Sequence, residues 1–343
     1  MVLTTPGRTT NAAASHSGAM SSGPQSTPTP PARPTLMDAL APIASRHTQI
    51  KPPPSPSATR PRRPNAAELR GVAETALISL AARAVAPKRF PHLRFRDPLA
   101  EAAARDLRLD VERYADTDQR SLDIIARSWI LDELVGGFTS RFANAQILNL
   151  GAGLTTQFHR MDNGFMTWID VDLPEIVELR NALLPSRPRQ RSVASDLNRQ
   201  DWAQSLPLRK APTLVLIEGV TMFLDPAVVR RLFDDLAAIT TGLDAELVFD
   251  FVPKALCGRP DAINAVVRGR NEAGGKPVLF RWGIRRDREL NAGVKEWTLV
   301  RNLPIEPPAQ AAPRKLVSRL LSPFAGAGAR RGIAQMRRAP DPA

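Results

Sequence analysis

The sequence predicts an α/β fold: a doubly wound, mostly parallel sheet, with a helical lead-in before it and disordered tails at both ends. Short apolar runs alternate with amphipathic segments from about residue 143 onward, and a Gly-x-Gly turn follows the first run. Continuous apolar strands that alternate with helices are typical of a sheet covered on both faces. A chain of 343 residues is long enough to bury one large core of this kind.

The ends of the chain differ in composition from its middle. Residues 1–66 contain no Phe, Tyr or Trp and are rich in proline, so they cannot offset the entropy lost on ordering. We expect 1–66 to be disordered and 306–343 to be a basic, flexible tail. Of the net charge of +13, residues 1–70 hold +6 and residues 306–343 hold +5. The charge alone would favour a nucleic-acid partner, but we expect none because the N-terminal tail lacks aromatic side chains for base stacking.

Three helices are predicted in the lead-in, 67–142. Apolar residues recur at helical spacing over 67–83. Asp97-Pro98 begins a second helix that runs to about residue 107, and a third covers 121–138, where Gly136-Gly137 is expected to end it. We expect residues 67–138 of this lead-in, with the segment 253–283, to form a lid over the site.

The α/β core, 143–305, is predicted from five apolar runs and three helical segments. The predicted strands are 146–150, 165–171, 191–194, 213–217 and 246–251, and the predicted helices are 173–184, 201–205 and 226–239. Ligands of such sheets bind beyond the carboxyl ends of the strands. Functional residues should therefore come directly after these runs.

Gly151 and Gly153 follow the first strand. Glycines here let the backbone turn sharply and approach a ligand closely, although an ordinary strand-to-helix turn would use them too. A dinucleotide fingerprint needs a third small residue at position 156, and this chain has Thr156. An NAD-dependent oxidoreductase is therefore the weaker alternative.

Carboxylates follow three of the other strands. Asp170 and Asp172, about 20 residues past the glycines, could bind the hydroxyls of an adenosine ribose, although Asp172 could instead cap the next helix. Asp196 could accept a hydrogen bond from an adenine amino group, although it could instead cap the following segment. Glu218 directly follows a fully apolar strand, so it must face a cleft or a partner, although a salt bridge within the core would also explain it.

Two further side chains are candidates with ordinary alternatives. Arg127 could clamp the carboxylate of an amino-acid-bearing cofactor, but a solvated helix face would explain it as well. His159 could act as a base, but a packing histidine is the simpler interpretation, so no catalytic residue is assigned.

Several classes are excluded by what the sequence lacks. One cysteine, Cys257, cannot form a disulfide framework, and no Cys or His spacing predicts a metal site. No run is long enough for a membrane helix, and no secretory signal is visible, so we expect a cytoplasmic protein.

These motifs together resemble the leucine carboxyl methyltransferase family, and within it the bacterial polyketide-synthesis O-methyltransferases. The resemblance covers roughly 70–303 and rests on several short segments. They are Gly71-Val-Ala-Glu-Thr-Ala-Leu-Ile78, Phe95-Arg-Asp-Pro-Leu-Ala100, Asn149-Leu-Gly-Ala-Gly-Leu154, Asp170-Val-Asp-Leu-Pro174, Asp196-Leu197, Glu218-Gly-Val-Thr-Met222 and Phe280-Arg-Trp-Gly283.

The resemblance implies a class I fold, a Rossmann-like doubly wound sheet, with S-adenosyl-L-methionine as cofactor. It implies a binding role for seven residues: Arg127 at the cofactor carboxylate, Gly151 and Gly153 against the methionine and adenosine parts, Asp172 at the ribose, Asp196 and Leu197 at the adenine, and Glu218 near the amino group and sulfonium. The expected activity is methyl transfer to a hydroxyl or carboxyl oxygen of a small, polyketide-like molecule. Two alternatives remain: methylation of a protein C-terminus, as in eukaryotic members, and a non-catalytic basic binding protein.

This chain departs from the family pattern after the glycines. The family usually has Gly-Leu-Asp-Thr-Arg there, whereas this chain has Thr155 and Gln157 in place of the Asp and the Arg. If that pair orients the cofactor loop, its loss could lower cofactor affinity.

Overall fold

The computed structural model describes Leu69 and residues 71–259, 278–292, 296–305 and 331–338. Within these ranges a seven-stranded sheet is packed between helices, as predicted. The expectations for 1–66, for 260–277 of the predicted lid and for most of 306–343 lie outside the described residues.

The sheet has the strand order β3-β2-β1-β4-β5-β7-β6. Its first five strands are parallel, and β7 runs antiparallel to both β5 and β6. The five predicted strands are confirmed with small shifts at their ends. The strands are β1 (Gln146–Leu150), β2 (Thr167–Asp172), β3 (Gln190–Ala194), β4 (Thr213–Ile217), β5 (Ala245–Phe251), β6 (Trp297–Pro304) and β7 (Gly332–Arg338).

Strand β1 is the point where the winding of the sheet reverses. It pairs with β2 on one side and with β4 on the other, although β2 and β4 are separated along the chain by β3. A doubly wound sheet leaves a crevice beyond the carboxyl ends of the strands at such a point. The glycine turn after β1 and Glu218 after β4 therefore lie at one edge of the sheet.

Strand β7 corrects the predicted C-terminal tail. Ile333, Ala334 and Met336 are fully buried, and the strand inserts between β5 and β6. The basic and proline-rich composition of 306–343 hid these few apolar residues. The folded part therefore extends beyond residue 305.

The helices agree with the predictions at most positions. They are α1 (Thr75–Arg89), α2 (Pro98–Asp106), α3 (Val111–Tyr114), α4 (Asp118–Arg141), α5 (Gln157–Met161), α6 (Pro174–Leu183), α7 (Pro226–Ile239) and α8 (Glu289–Ala292). Two predictions were wrong. Residues 201–205 form turns rather than a helix, and α4 continues through Gly136-Gly137.

The continuation of α4 has a packing cause. Phe138 and Thr139, beyond the two glycines, are buried, and Phe138 belongs to the core on one face of the sheet with Trp168. A Cβ at Gly136 would lie 3.4 Å from Cε of Met161 in α5, so glycine permits the two helices to approach closely. Tertiary packing outweighs the low helix propensity of glycine here.

The core lies on both faces of the sheet and in the lead-in. Leu232, Leu236 and Phe249 belong to one face, and α1 with α2 has a cluster of its own that includes Leu77 and Leu80. None of the helices in the described ranges is both long and apolar enough to cross a membrane.

Candidate active site

The turn after β1 depends on its two glycines. Gly151 has φ +66° and Gly153 has φ +53°, in the left-handed region that strains any residue with a Cβ. A Cβ at Gly151 would also lie 2.2 Å from Cγ2 of Val220, in the loop after β4. Gly151 is therefore required both for the turn and for its close packing.

Asp172, at the end of β2, holds this turn. Its Oδ2 accepts a hydrogen bond from the Gly153 N–H at 2.6 Å, and its Oδ1 accepts one from the Leu173 N–H at 2.7 Å. The residue at the cap position of α6 is Leu173, with no side-chain cap, so the capping alternative for Asp172 was wrong. Burial raises the pKa of Asp172, and the two backbone donors oppose that rise. An ionised carboxylate has about four lone-pair sites, so room remains to accept two hydroxyls.

Asp170 has a different role from its neighbour. It is fully buried and accepts hydrogen bonds from four side chains. The donors are Asn149, Trp168, Arg180 and Gln190, at 2.5–2.8 Å. Its acceptor sites are filled by these donors, so Asp170 belongs to the core and is not available to a ligand.

Arg180 connects this core carboxylate to the glycine turn. While its Nη2 donates to Asp170, its Nη1 donates to the carbonyl oxygens of Gly153 at 2.7 Å and Thr155 at 3.1 Å. The loop after β1 is thus held by Asp172 through an N–H group and by Arg180 through two carbonyls.

Arg127, in α4, makes a partly buried ion-pair cluster with two carboxylates. Its Nε lies 2.8 Å from Oε1 of Glu218, and its Nη1 lies 2.8 Å from Oδ2 of Asp250. Burial opposes the guanidinium charge, but the two carboxylates outweigh it and raise the pKa of Arg127. Arg127 is therefore an ordered cation of the site, and the solvated-face alternative was wrong.

One cavity of about 310 Å³ brings the predicted residues together. Its walls come from the ends of β1, β2 and β4, from the loop after β3, and from α1 and α4. All seven predicted residues line it: Arg127, Gly151, Gly153, Asp172, Asp196, Leu197 and Glu218. We call it the first cavity.

A second cavity of about 150 Å³ adjoins the first. The two share Thr75, Ser79, Arg127, Gly219 and Phe223 as lining residues. The rest of the second cavity is lined by apolar side chains and by four charged ones: Arg120 and Asp123 of α4, Asp250 of β5, and Arg331 just before β7. Its apolar side chains include Ile78, Ile124, Met222, Phe251, Val252 and Phe280.

The residues that depart from the family pattern are satisfied within the structure. Gln157 donates from Nε2 to Oδ1 of Asp132 at 3.0 Å, and Arg160 binds both oxygens of the same carboxylate at 2.8 and 3.0 Å. A buried carboxylate without a cation would be costly. Here the cation stands at 160, one helical turn beyond the position where the family usually has its arginine.

Three buried residues of the site were not predicted. Arg83 lines the first cavity and donates to the Leu154 carbonyl at 2.8 Å, Arg180 holds the glycine loop, and Asp250 binds Arg127. An arginine in a helix normally indicates a solvated face, so Arg83 and Arg180 give no sequence signal. Asp250 is a carboxylate within a largely apolar strand, and Glu218 directly follows such a strand. The same signal that indicated Glu218 could therefore have indicated Asp250.

His159 is a packing residue, in agreement with the simpler interpretation. It lines neither cavity, and its ring packs against Phe158 with centroids 5.4 Å apart. Burial, with Arg187 as the next cause, lowers its pKa to about 4, so the ring is neutral near pH 7. Its Nε2 is buried without a hydrogen-bond partner in the part of the chain that the structure describes.

Among the residues that the structure describes, the site offers no candidate metal centre. Across the described ranges, no three His, Cys, Asp or Glu side chains form a group suited to a metal ion. The charged groups that line the first cavity are Arg83, Arg127, Asp172, Asp196 and Glu218. Their arrangement suits an elongated ligand with polar groups at several points.

Comparisons with known proteins agree with this geometry. The model of the family described as leucine carboxyl methyltransferase matches residues 76–237. The tetracenomycin polyketide synthesis O-methyltransferase TcmP of Streptomyces glaucescens is 31% identical over 245 residues, which cover 68% of this chain and 84% of that protein. A candidate S-adenosyl-L-methionine-dependent methyltransferase of Mycobacterium sp. (strain JLS) is 30% identical over 208 residues, 54% of this chain and 67% of that protein. Among solved structures, a candidate methyltransferase from Thermobifida fusca has a TM-score of 0.46 at 17% identity, covering 77% of this chain and 94% of that chain.

The match with TcmP confirms the predicted family and the methyltransferase activity, and the strand order confirms the predicted doubly wound, Rossmann-like sheet. The match covers about two thirds of this chain and most of TcmP. The chain belongs to the leucine carboxyl methyltransferase family.

Proposed function

We propose that the protein transfers a methyl group from S-adenosyl-L-methionine to a hydroxyl or carboxyl oxygen of a small, polyketide-like molecule. The observation that carries the proposal is the convergence of seven separate sequence positions on the first cavity, beside a second, mostly apolar cavity. The relative named for polyketide synthesis supports the acceptor class. S-adenosyl-L-methionine is the cofactor, in agreement with the relatives named as dependent on it.

The residues of the first cavity fit this cofactor. Leu197 is buried and offers an apolar surface, Asp196 is half-buried beside it, and Asp172 keeps free lone pairs. Arg127 uses three of its five N–H groups on Glu218, Asp250 and Ser79, so two N–H groups remain for a carboxylate. An adenine, a ribose and an amino-acid end each find a group of suitable chemistry.

Each of these residues binds a different part of the cofactor. Arg127 binds the carboxylate of the amino-acid end, and Glu218 accepts hydrogen bonds from its ammonium group. Asp172 accepts from the ribose hydroxyls, Asp196 accepts from the adenine amino group, and Leu197 packs against the ring. When bound, the cofactor supplies an electrophilic methyl group on a sulfonium. The helices α1 and α4 cover the cavity, where they exclude water and align the reactants.

The second cavity is the proposed acceptor site. Its aromatic and aliphatic lining favours a compact apolar molecule over an extended peptide. A carboxylate acceptor needs no base, whereas a hydroxyl acceptor must lose its proton. No catalytic base is assigned, since His159 lies away from both cavities.

Calorimetry on the full chain tests the class of the enzyme. We expect S-adenosyl-L-homocysteine to bind and NADH not to bind. Folded protein that binds NADH but not S-adenosyl-L-homocysteine would refute the proposal.

The Asp172→Asn variant tests the ribose contact. Hydrogen bonds to a charged group contribute about 1.5–3 kcal/mol each, so affinity for S-adenosyl-L-homocysteine should fall roughly 10- to 100-fold. Asp162→Asn is the matched control, because Asp162 accepts from Arg189 outside both cavities. Equal affinities of the two variants would contradict the assigned role of Asp172.

Transfer of a labelled methyl group tests the acceptor. The probes are 2-naphthol, 2-naphthoic acid and a short peptide with a free C-terminal leucine. We expect methylation of an aromatic probe and none of the peptide. Methylation of the peptide alone would favour the protein carboxyl methyltransferase alternative.

A further inference from the structure

We propose that Asp250 is a positioning residue for the amino-acid end of the cofactor. It acts through Arg127 and Gly219, and it touches neither the reacting atoms nor the cofactor. This inference rests on the proposed function and adds a residue that neither the motifs nor the resemblance indicated.

Asp250 joins two elements of the site at the carboxyl end of β5. Its side chain is buried, with 3% exposed. Its Oδ1 accepts a hydrogen bond from the Gly219 N–H at 2.7 Å, and its Oδ2 accepts one from Nη1 of Arg127 at 2.8 Å. One carboxylate thus fixes both the helix residue Arg127 and the loop that follows β4.

Arg127 needs two anchors to keep one orientation. A single hydrogen bond from Nε to Glu218 would leave the guanidinium free to rotate about its long side chain. The bond from Nη1 to Asp250 fixes its plane, because two donors on different nitrogens are then held at once. Ser79 accepts a third, longer hydrogen bond from Nη2 at 3.4 Å.

The cluster of Arg127, Glu218 and Asp250 lies at the boundary between the two cavities. Arg127 and Gly219 line both cavities, Glu218 lines only the first, and Asp250 lines only the second. A Cβ at Gly219, which has φ +69°, would lie 3.6 Å from both Nη atoms, so the guanidinium lies directly beside this loop. A shift of Arg127 would therefore displace groups on the cofactor side and on the acceptor side.

The charges of the cluster favour an amino-acid ligand. One guanidinium faces two carboxylates, so the three groups carry one negative charge in excess when all are ionised. An amino-acid end brings an ammonium group for Glu218 and a carboxylate for the remaining N–H groups of Arg127. Asp250 keeps Arg127 in place while Glu218 takes up the ammonium group.

The test compares two ligands with the Asp250→Asn variant of the full chain. S-adenosyl-L-homocysteine has the amino-acid end, whereas 5′-methylthioadenosine lacks it. Asparagine can still accept from the Gly219 N–H but loses the charge that holds Arg127. We expect the Kd for S-adenosyl-L-homocysteine to rise at least tenfold and the Kd for 5′-methylthioadenosine to stay within twofold.

Glu246→Gln is the matched control. Glu246 is also a buried carboxylate of β5, and it binds Arg141 at 2.7 Å near the other end of the strand, away from both cavities. Both variants should melt at a lower temperature than the wild type, but Glu246→Gln should bind both ligands as the wild type does.

The outcomes separate a positioning role from a structural one. Equal weakening of both ligands by Asp250→Asn, or no weakening of S-adenosyl-L-homocysteine, overturns the inference. If Asp250→Asn does not fold, Asp250→Glu takes its place, because the longer side chain keeps the charge but moves the carboxylate that anchors Nη1 of Arg127. It should show the same selective loss, and equal loss for both ligands again overturns the inference. Wild-type protein that binds neither ligand would instead refute the proposed function.

Discussion

Buried arginines fix the loops around the first cavity. Arg83 donates to Asp97 at 3.1 Å and to the Leu154 carbonyl, while Arg180 joins Asp170 to the loop after β1. Such guanidinium groups bind a carboxylate and a carbonyl at fixed angles, which a lysine could not do. The shape of the cofactor loop is thus determined by side chains from other elements.

His159 makes the stability of the protein depend on pH. Its folded-state pKa, lowered to about 4, lies below the ordinary histidine value of 6.5. The unfolded chain therefore binds a proton that the folded chain does not bind between those two values. The charged groups that also act on the pKa of His159 are Arg187, Asp170, Arg180 and Asp97: the two arginines lower it and the two carboxylates raise it.

We expect the free energy of unfolding to fall more steeply in the wild type than in His159→Phe as the pH decreases from about 6.5 to about 4. One proton taken up on unfolding corresponds to about 1.4 kcal/mol per pH unit. Urea unfolding at several pH values measures both slopes, and the carboxylates that titrate in this range are common to the two proteins. Parallel curves would show that His159 is not buried in its neutral form.

At the scale of elements, α5 compensates for the altered loop. Gln157 and Arg160 lie one turn apart and both donate to Asp132, so this carboxylate is satisfied without an arginine at 157. Sequence comparison by position alone would report a lost ion pair. The helix shows that its cation comes from a neighbouring position.

Restoring the family arginine should therefore harm the protein. Gln157→Arg places a second buried cation beside Arg160, and Thr155 offers it no carboxylate. We expect a loss of roughly 1–3 kcal/mol in the free energy of unfolding, because the new cation must share Asp132 with Arg160 and gives up its hydration. Thermal and urea unfolding measure the loss.

Two variants control for this prediction. Thr155→Asp combined with Gln157→Arg supplies the missing partner and should recover part of the stability. Gln157→Met removes only one hydrogen bond and should cost about 1 kcal/mol. Gln157→Arg as stable as the wild type would contradict the account of Asp132.

At the scale of the whole molecule, the C-terminal region completes the sheet. Arg331, Arg337 and Arg338 belong to the described fold, and Arg331 lies 3.6 Å from Asp123 while Arg337 lies 3.6 Å from Glu246. Part of the positive charge of 306–343 therefore belongs to the folded sheet and not to a tail. The expectation that the chain has no nucleic-acid partner stays a prediction from the sequence.

Removal of β7 should unfold the protein. A chain that ends at residue 305 leaves the β5 edge unpaired and β6 without the neighbour that holds it in the sheet. Circular dichroism and size-exclusion chromatography should show loss of cooperative melting and aggregation. A chain that ends at residue 338 is the control and should melt as the full chain does. A 305-residue chain that melts cooperatively and binds S-adenosyl-L-homocysteine would contradict the role of β7.

The sequence by itself determined the class of the fold and the edge of the sheet where the site lies. Five apolar runs and the residues directly after them were enough, because parallel strands bring their carboxyl ends to one edge. Only the tertiary structure decided which polar groups face a ligand and which face the core. Asp170 and Asp172 are two residues apart, yet burial and four donors assign one to the core, while the other faces the first cavity. Asp250 and β7 also needed the folded chain, since Arg127 lies 123 residues from Asp250 and Glu246 of β5 lies 89 residues from Gln335 of β7.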